Sequence, residues 1–179
     1  SLTVGDPRKE GVFMGPLINE RAYTNFARYV QDGIEAGGRL VVGGRQLKDG
    51  WMSRGFYVEP TIMDGVPEGH YLFRDELFVP LLVVAPFRDI DDAISKVNDT
   101  DYGLTAGIFS EDEDEVREFM ERAEFGVLYA NRRGGATTGA WPGAQTFVGW
   151  KASGATGRGI GGPYYLLNFL QEQARTYVR

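Results

Sequence analysis

The sequence contains no cysteine and one histidine, His70, in 179 residues. Without thiols there is no disulfide framework, no thiolate metal site and no Cys–His dyad, and a lone imidazole cannot build a multi-histidine zinc cluster. Positive charge is the minority sign: 19 Lys and Arg stand against 25 Asp and Glu, a net charge of −6. With the two signs interspersed, nucleic-acid binding is disfavoured, because neutralising phosphates requires a concentrated positive surface. Long hydrophobic runs are also missing. None approaches the roughly 20 residues of a membrane span, and the start Ser1-Leu2-Thr3-Val4-Gly5-Asp6-Pro7 has neither the basic nor the apolar region of a signal peptide. The expectation is a soluble cytoplasmic protein with no nucleic-acid and no membrane partner. At about 100–200 residues per domain it forms one globular unit or part of a larger one.

What is present is 42% hydrophobic residues and 25 glycines. From about Asn19 to Ala36, Ala22, Tyr23, Phe26, Ala27, Val30 and Ile34 recur at three- and four-residue spacing before Gly37-Gly38, the pattern of an amphipathic helix with a glycine stop. Arg39–Val42 reads as a short strand. Phe56–Met63 reads as an extended stretch that Pro60 demotes to an edge or an irregular connection. Leu81–Phe87 is almost wholly apolar, as a strand covered on both faces would be. Asp89 is placed to cap a helix carrying Ile90, Ala93, Ile94 and Val97 inward. Leu104–Phe109 and Val127–Ala130 read as further strands, separated by an acidic helix whose capping-box spacing starts at Ser110. Alternating strands and helices predict an α/β fold with an open, mostly parallel twisted sheet flanked by helices. From Asn131 to Gly162 the chain is rich in Gly, Ala, Thr and Trp and poor in charge, and its aromatic content favours a segment wrapped against something. Pro163–Leu167 suggests a short final helix, and Gln171–Arg179 a strand that needs a partner.

Gly157-Arg158-Gly159-Ile160-Gly161-Gly162 invites a dinucleotide-fingerprint reading, but the chain ends at Arg179, with no room for the second strand and acidic ribose ligand that make the fingerprint work. Lys151 and Ser153 place an amine near a hydroxyl, yet no nucleophile elbow or second base accompanies them, so Ser153 is read as a loop hydrogen-bonder. His70 is read as a surface residue. The acidic run Glu111–Glu115 is a solvated helix start stabilised by the helix dipole, not a metal site. Asp75-Glu76-Leu77-Phe78-Val79-Pro80 says more. A carboxylate two positions before an aromatic ring, ahead of a buried strand, could hold a ribose diol and a flat ring.

These segments together resemble the C-terminal half of the aldehyde dehydrogenase superfamily. Gly15-Pro16-Leu17-Ile18 is similar to that family's G-P-[LI]-[IV], Gly55–Thr61 to its G-[FY]-[FY]-x-x-P-T, and Glu76–Pro80 to its E-[IL]-F-G-P. Asn98–Gly107 follows its N-x-x-x-Y-G-L-x-[AG]-G, and Gly126–Asn131 its G-x-[VL]-x-x-N. The order and spacing make the set specific. Thr138–Gln145, Phe147, Ser153-Gly154, Gly161–Leu166 and the long tail resemble the 1-pyrroline-5-carboxylate dehydrogenase branch. Two positions depart from the usual pattern: Val79 stands where the superfamily usually has glycine, and Gln145-Thr146-Phe147-Val148-Gly149 replaces Q-P-F-G-G.

The resemblance implies oxidation of L-glutamate 5-semialdehyde to L-glutamate with NAD in proline catabolism, NADP being the other cofactor the family admits. Glu76 would accept hydrogen bonds from the nicotinamide-ribose hydroxyls and Phe78 would pack beside the nicotinamide. Gly139 and Ala140 would offer backbone N–H groups to the substrate α-carboxylate, and Phe147 would wall the aldehyde pocket. Residues 1–167 would form the C-terminal part of the catalytic domain, and 168–179 an oligomerisation tail that adds a strand to a neighbouring copy. Family chemistry runs through thiolate attack on the aldehyde, hydride transfer and hydrolysis of the thioester by glutamate-activated water. The cysteine, that glutamate and the N-terminal dinucleotide-binding part are expected upstream, so this chain by itself is expected to be inactive. Two other functions compete: a non-catalytic oligomerisation or regulatory module of the same fold, and an aldehyde dehydrogenase of different substrate specificity.

Overall fold

A computed structural model describes residues 2–132, 140 and 144–179. Contacts divide the chain into two compact units, residues 1–86 and 87–179, each with its own core.

In the first unit, helix α1 spans Glu20–Glu35, and its start is set by Asn19, whose side-chain oxygen accepts from the Ala22 N–H at 2.9 Å. Its apolar stripe buries Phe26, Tyr29 and Val30, while Ile34, expected on the same face, is exposed. Strands β1 (Arg39–Val42), β2 (Thr61–Asp64) and β3 (Leu81–Val84) form one sheet in that order, β1–β2 antiparallel and β2–β3 parallel. Of the stretch that Pro60 marks as an edge or an irregular connection, residues 56–60 are irregular and Thr61–Met63 belong to the central strand. Pro60 lies just outside it, where no ladder N–H is required, and pairing begins at Thr61. The Thr61 hydroxyl is buried but satisfied, accepting from Gly44 N–H at 2.9 Å and donating to the Glu59 carbonyl at 2.8 Å. Val58, Met63, Val66 and Leu72 complete the core with the α1 stripe. Strand β3 is covered on one face only: Leu81 and Val83 pack against this core, whereas Leu82 and Val84 are exposed.

In the second unit, α3 (Ile90–Asn98) is capped by Asp89, which accepts from Asp92 N–H at 2.8 Å. Strands β5 (Thr105–Ile108) and β6 (Val127–Ala130) pair in parallel, joined by helix α4 (Glu113–Arg122), the crossover that parallel strands require. Strand β3 pairs with β2, not with this pair. The cap of α4 falls two residues later than the Ser110 spacing indicated: Asp112 accepts from the Asp114 and Glu115 N–H groups, and the Ser110 hydroxyl donates to the Glu115 carboxylate at 2.6 Å. Ile94, Phe119 and Ala123 form the buried centre between α3, α4 and the strands. Two-residue strands β4 (Tyr102–Gly103) and β7 (Trp150–Lys151) pair antiparallel. The expected final helix is a 3-10 turn over Tyr165–Phe169, and residues 170–179 carry no regular structure within the chain.

The core and one ion pair give two expectations. Phe26 is fully buried, so Phe26→Ala should lower stability by about 3–5 kcal/mol in chemical denaturation. Asp92 accepts from Lys96 and from the Arg88 backbone, which hold its carboxyl at about 2, below the usual 3.8. A depressed carboxylate contributes stability above its unfolded value that is lost as pH falls through the folded one. The melting midpoint of wild type should thus exceed that of Asp92→Asn at pH 7, with the gap closing between about pH 4 and 2.

Candidate functional site

The segment that carries Glu76 and Phe78 hangs between the short helix α2 (Tyr71–Arg74) and β3. His70 caps α2: its Nδ1 accepts from the Leu72 N–H at 3.3 Å, which requires the imidazole lone pair on that nitrogen. The residue expected on the surface is thus a half-buried structural cap. Tyr71 ties α2 to α1 by donating its hydroxyl to Asp32 at 2.5 Å. Burial, reinforced by that bond, pushes the Tyr71 phenol well above the usual tyrosine range.

Beyond α2 the side chains divide. Leu77 and Val79 pack against the first core, while Glu76 and Phe78 are exposed. Phe78 has a φ of +55°, in the left-handed region, and its side chain is 80% exposed. That backbone costs a bulky L-residue about 1–3 kcal/mol and persists only where its surroundings impose it. Leu77 and Val79 on either side pack inward while the ring between them stands in solvent. Neither Val79 nor Val148 has a positive φ, so valine meets no backbone penalty at the two positions where the family usually has glycine.

In the second unit, Ala140 is buried, and Phe147 is half-buried in an isolated antiparallel bridge with Ile160. Gly139 lies outside the described residues. Lys151 is no catalytic amine. Its Nζ donates to the carbonyls of Asn98 at 2.8 Å and Thr100 at 3.1 Å and pairs with Glu124 at 2.9 Å. Ser153 is the loop hydrogen-bonder expected, its hydroxyl accepting from Gly103 N–H at 3.1 Å.

Sequence reasoning missed Asn131 as an organiser. It has a φ of +54°, accepts from Ser110 N–H at 3.0 Å and donates to the Ser110 carbonyl at 2.8 Å, locking the end of β6 beside the end of β5. Its place as the last residue of G-x-[VL]-x-x-N was the available signal. Among the described residues no cluster of acids and histidine could hold a metal. A cavity of about 840 Å³ in the first unit is lined by residues including Val4, Phe13, Pro60, Ile62 and Leu82, and one of about 540 Å³ in the second by Glu124, Trp150 and Lys151 among others. Neither is lined by Glu76, Phe78, Ala140 or Phe147.

Comparison with known families matches residues 1–174 to the aldehyde dehydrogenase family. The chain belongs to that family. The 1-pyrroline-5-carboxylate dehydrogenase of Geobacillus kaustophilus (strain HTA426) is 36% identical over 175 residues, 98% of this chain and 32% of the relative. The 2,5-dioxopentanoate dehydrogenase of Saccharolobus solfataricus is 39% identical over 150 residues, 84% of this chain and 30% of the relative. Among solved structures, 1-pyrroline-5-carboxylate dehydrogenase from Thermus with bound NAD superposes with a TM-score of 0.83 at 34% identity, over 95% of this chain and 31% of its own. Lactaldehyde dehydrogenase from Escherichia coli gives 0.83 at 31% identity, over 97% of this chain and 34% of its own. The chain thus spans about a third of the length of these aldehyde dehydrogenases. Its α/β architecture, with an open sheet and flanking helices, is that of the family.

Because Phe78 is exposed and strained, Phe78→Gly should leave stability within about 1 kcal/mol of wild type, relief of the left-handed penalty offsetting the added chain entropy. Denaturant titration checks this; a loss of several kcal/mol would mean that the ring is a packing residue.

Proposed function

We propose that this chain supplies the cofactor-contacting and substrate-anchoring walls of a dehydrogenase that oxidises L-glutamate 5-semialdehyde to L-glutamate with NAD in proline catabolism. The observation that carries the reading is Phe78, an aromatic ring presented to solvent on a strained backbone two residues from the exposed carboxylate of Glu76. Strain of this kind concentrates at ligand-contacting positions. The similarity over 98% of the chain to enzymes named 1-pyrroline-5-carboxylate dehydrogenase supports the substrate.

The exposed acid and ring fit a dinucleotide chemically. Glu76 would accept from the ribose hydroxyls, and Phe78 would offer an apolar face to the nicotinamide. NAD, when bound, supplies the hydride acceptor. Gly139 and Ala140 would hold the α-carboxylate by backbone N–H groups, which bind an anion without burying a second charge. Phe147 would face the methylene chain. The nucleophilic cysteine and the general-base glutamate belong to the part of the enzyme outside these residues, so the 179-residue chain alone is inactive. Residues 168–179 would pair with another copy as an oligomerisation strand, a role consistent with the exposure of Tyr177 and Val178.

The Saccharolobus solfataricus relative favours a second reading within the same class, since 2,5-dioxopentanoate is also a five-carbon chain with a carboxylate at one end and an aldehyde at the other. The complete enzyme, assayed by NADH formation, should prefer glutamate semialdehyde to the dioxo acid and either of them to a neutral aldehyde of equal length. Equal kcat/KM for the neutral aldehyde would overturn the carboxylate anchor, and NADH production by the isolated chain would overturn the division of labour. Glu76→Gln should weaken NAD binding by about tenfold, the loss of a charge-assisted hydrogen bond, with little change in KM for the aldehyde.

A further inference from the structure

We infer that Gly159 and Gly162 are positioning residues. By letting segment 157–162 close directly onto the Thr146 side chain and the Phe147 carbonyl, they set where the Phe147 ring stands and hence which aldehydes it accepts. The inference rests on the role given to Phe147 above and extends it to residues that would touch no substrate.

Phe147 and Ile160 exchange both backbone hydrogen bonds: Phe147 N–H donates to the Ile160 carbonyl at 2.9 Å, and Ile160 N–H donates to the Phe147 carbonyl at 3.0 Å. A reciprocal pair fixes the height and tilt of the Phe147 peptide. The approach is closer than any side chain allows, because a methyl group on Gly159 would overlap the Phe147 carbonyl. A methyl on Gly162 would stand 2.6 Å from Thr146 Oγ1 and 2.9 Å from its Cβ. Neither glycine has a positive φ, so backbone conformation does not explain them. Proximity does.

The next residue after Phe147 is approached as closely. A methyl on Gly126, one residue before β6, would overlap the carbonyl of Val148. Residues 146–148 are therefore approached closely by Gly126 at Val148, by Gly159 at Phe147 and by Gly162 at the Thr146 side chain. Segment 157–162 gains little by burying its own side chains, since Ile160 is 61% exposed. What its closure contributes is the seat of Phe147. A hydrophobic pocket discriminates by about 10- to 200-fold per misfitted methylene, so moving that seat should register as a change of selectivity.

The test is a double-mutant cycle in the complete enzyme, comparing glutamate semialdehyde with propanal. Gly159→Ala should lower the ratio of the two kcat/KM values by about tenfold, through KM for the longer substrate. KM for NAD should stay within about twofold, because the atoms that a methyl on Gly159 would meet belong to Thr146 and Phe147, not to Glu76 or Phe78. Phe147→Ala should lower the ratio similarly, and adding Gly159→Ala to it should change the ratio by less than about twofold. Gly162→Ala, the milder displacement, should give a smaller shift that Thr146→Ala reverses in part by removing Oγ1, the nearer of the two atoms it meets. This pair decides the matter if Gly159→Ala does not fold, as read from its melting curve. Independent multiplication of the Gly159 and Phe147 effects, or an unchanged ratio in the glycine variants while Phe147→Ala shifts it, overturns the inference alone. An unchanged ratio in Phe147→Ala overturns the role of Phe147 and the inference with it.

Discussion

Backbone packed directly on backbone is the constraint on which the second unit depends. At Gly103, Gly126, Gly149, Gly154 and Gly159, a single methyl group would overlap or crowd a backbone carbonyl, of another segment or of the same loop. Gly126 meets Val148, Gly149 and Gly154 close on Ser153 and on each other, and Gly159 meets Phe147. These contacts explain how residues 144–162, poor in charge and in large buried side chains, hold a defined path. Hydrogen bonds of Lys151 and Ser153 to residues 98–103 then tie that path to β4 and to the end of α3.

The first unit is organised differently. Its core is conventional, an amphipathic helix laid on a short sheet, and its tension is concentrated at Phe78. Leu77 and Val79 are held inward, and the residue between them takes a left-handed backbone and points its ring to solvent. The His70 cap and the Tyr71–Asp32 bond anchor the helix from which this segment departs. Local strain and exposed apolar area are both unfavourable, and their coincidence beside Glu76 is what the proposed cofactor contact would account for.

Elements governed by local rules were legible in advance. The α1 stripe, the Asn19 and Asp89 caps and the apolar runs of β3, β5 and β6 follow from periodicity and cap chemistry, which act within a few residues. Pairing was less so. Pro60 marks the stretch as an edge or an irregular connection, yet it stops one residue short of a central strand. The Ser110 cap shifted to Asp112 because that acidic stretch offers several residues able to cap, and spacing alone does not choose among them.

By itself the sequence determined the family and the α/β class, because motif order and hydrophobic period are properties of the chain as written. Only tertiary structure decided that Phe78 is strained and exposed, that His70 is a cap, that Lys151 is committed to two carbonyls and a carboxylate, and that the glycines after Ala155 divide into turn formers and close-approach positions. Each of these depends on what lies across space from the residue. A glycine that turns the chain and a glycine that admits a neighbouring carbonyl are the same letter.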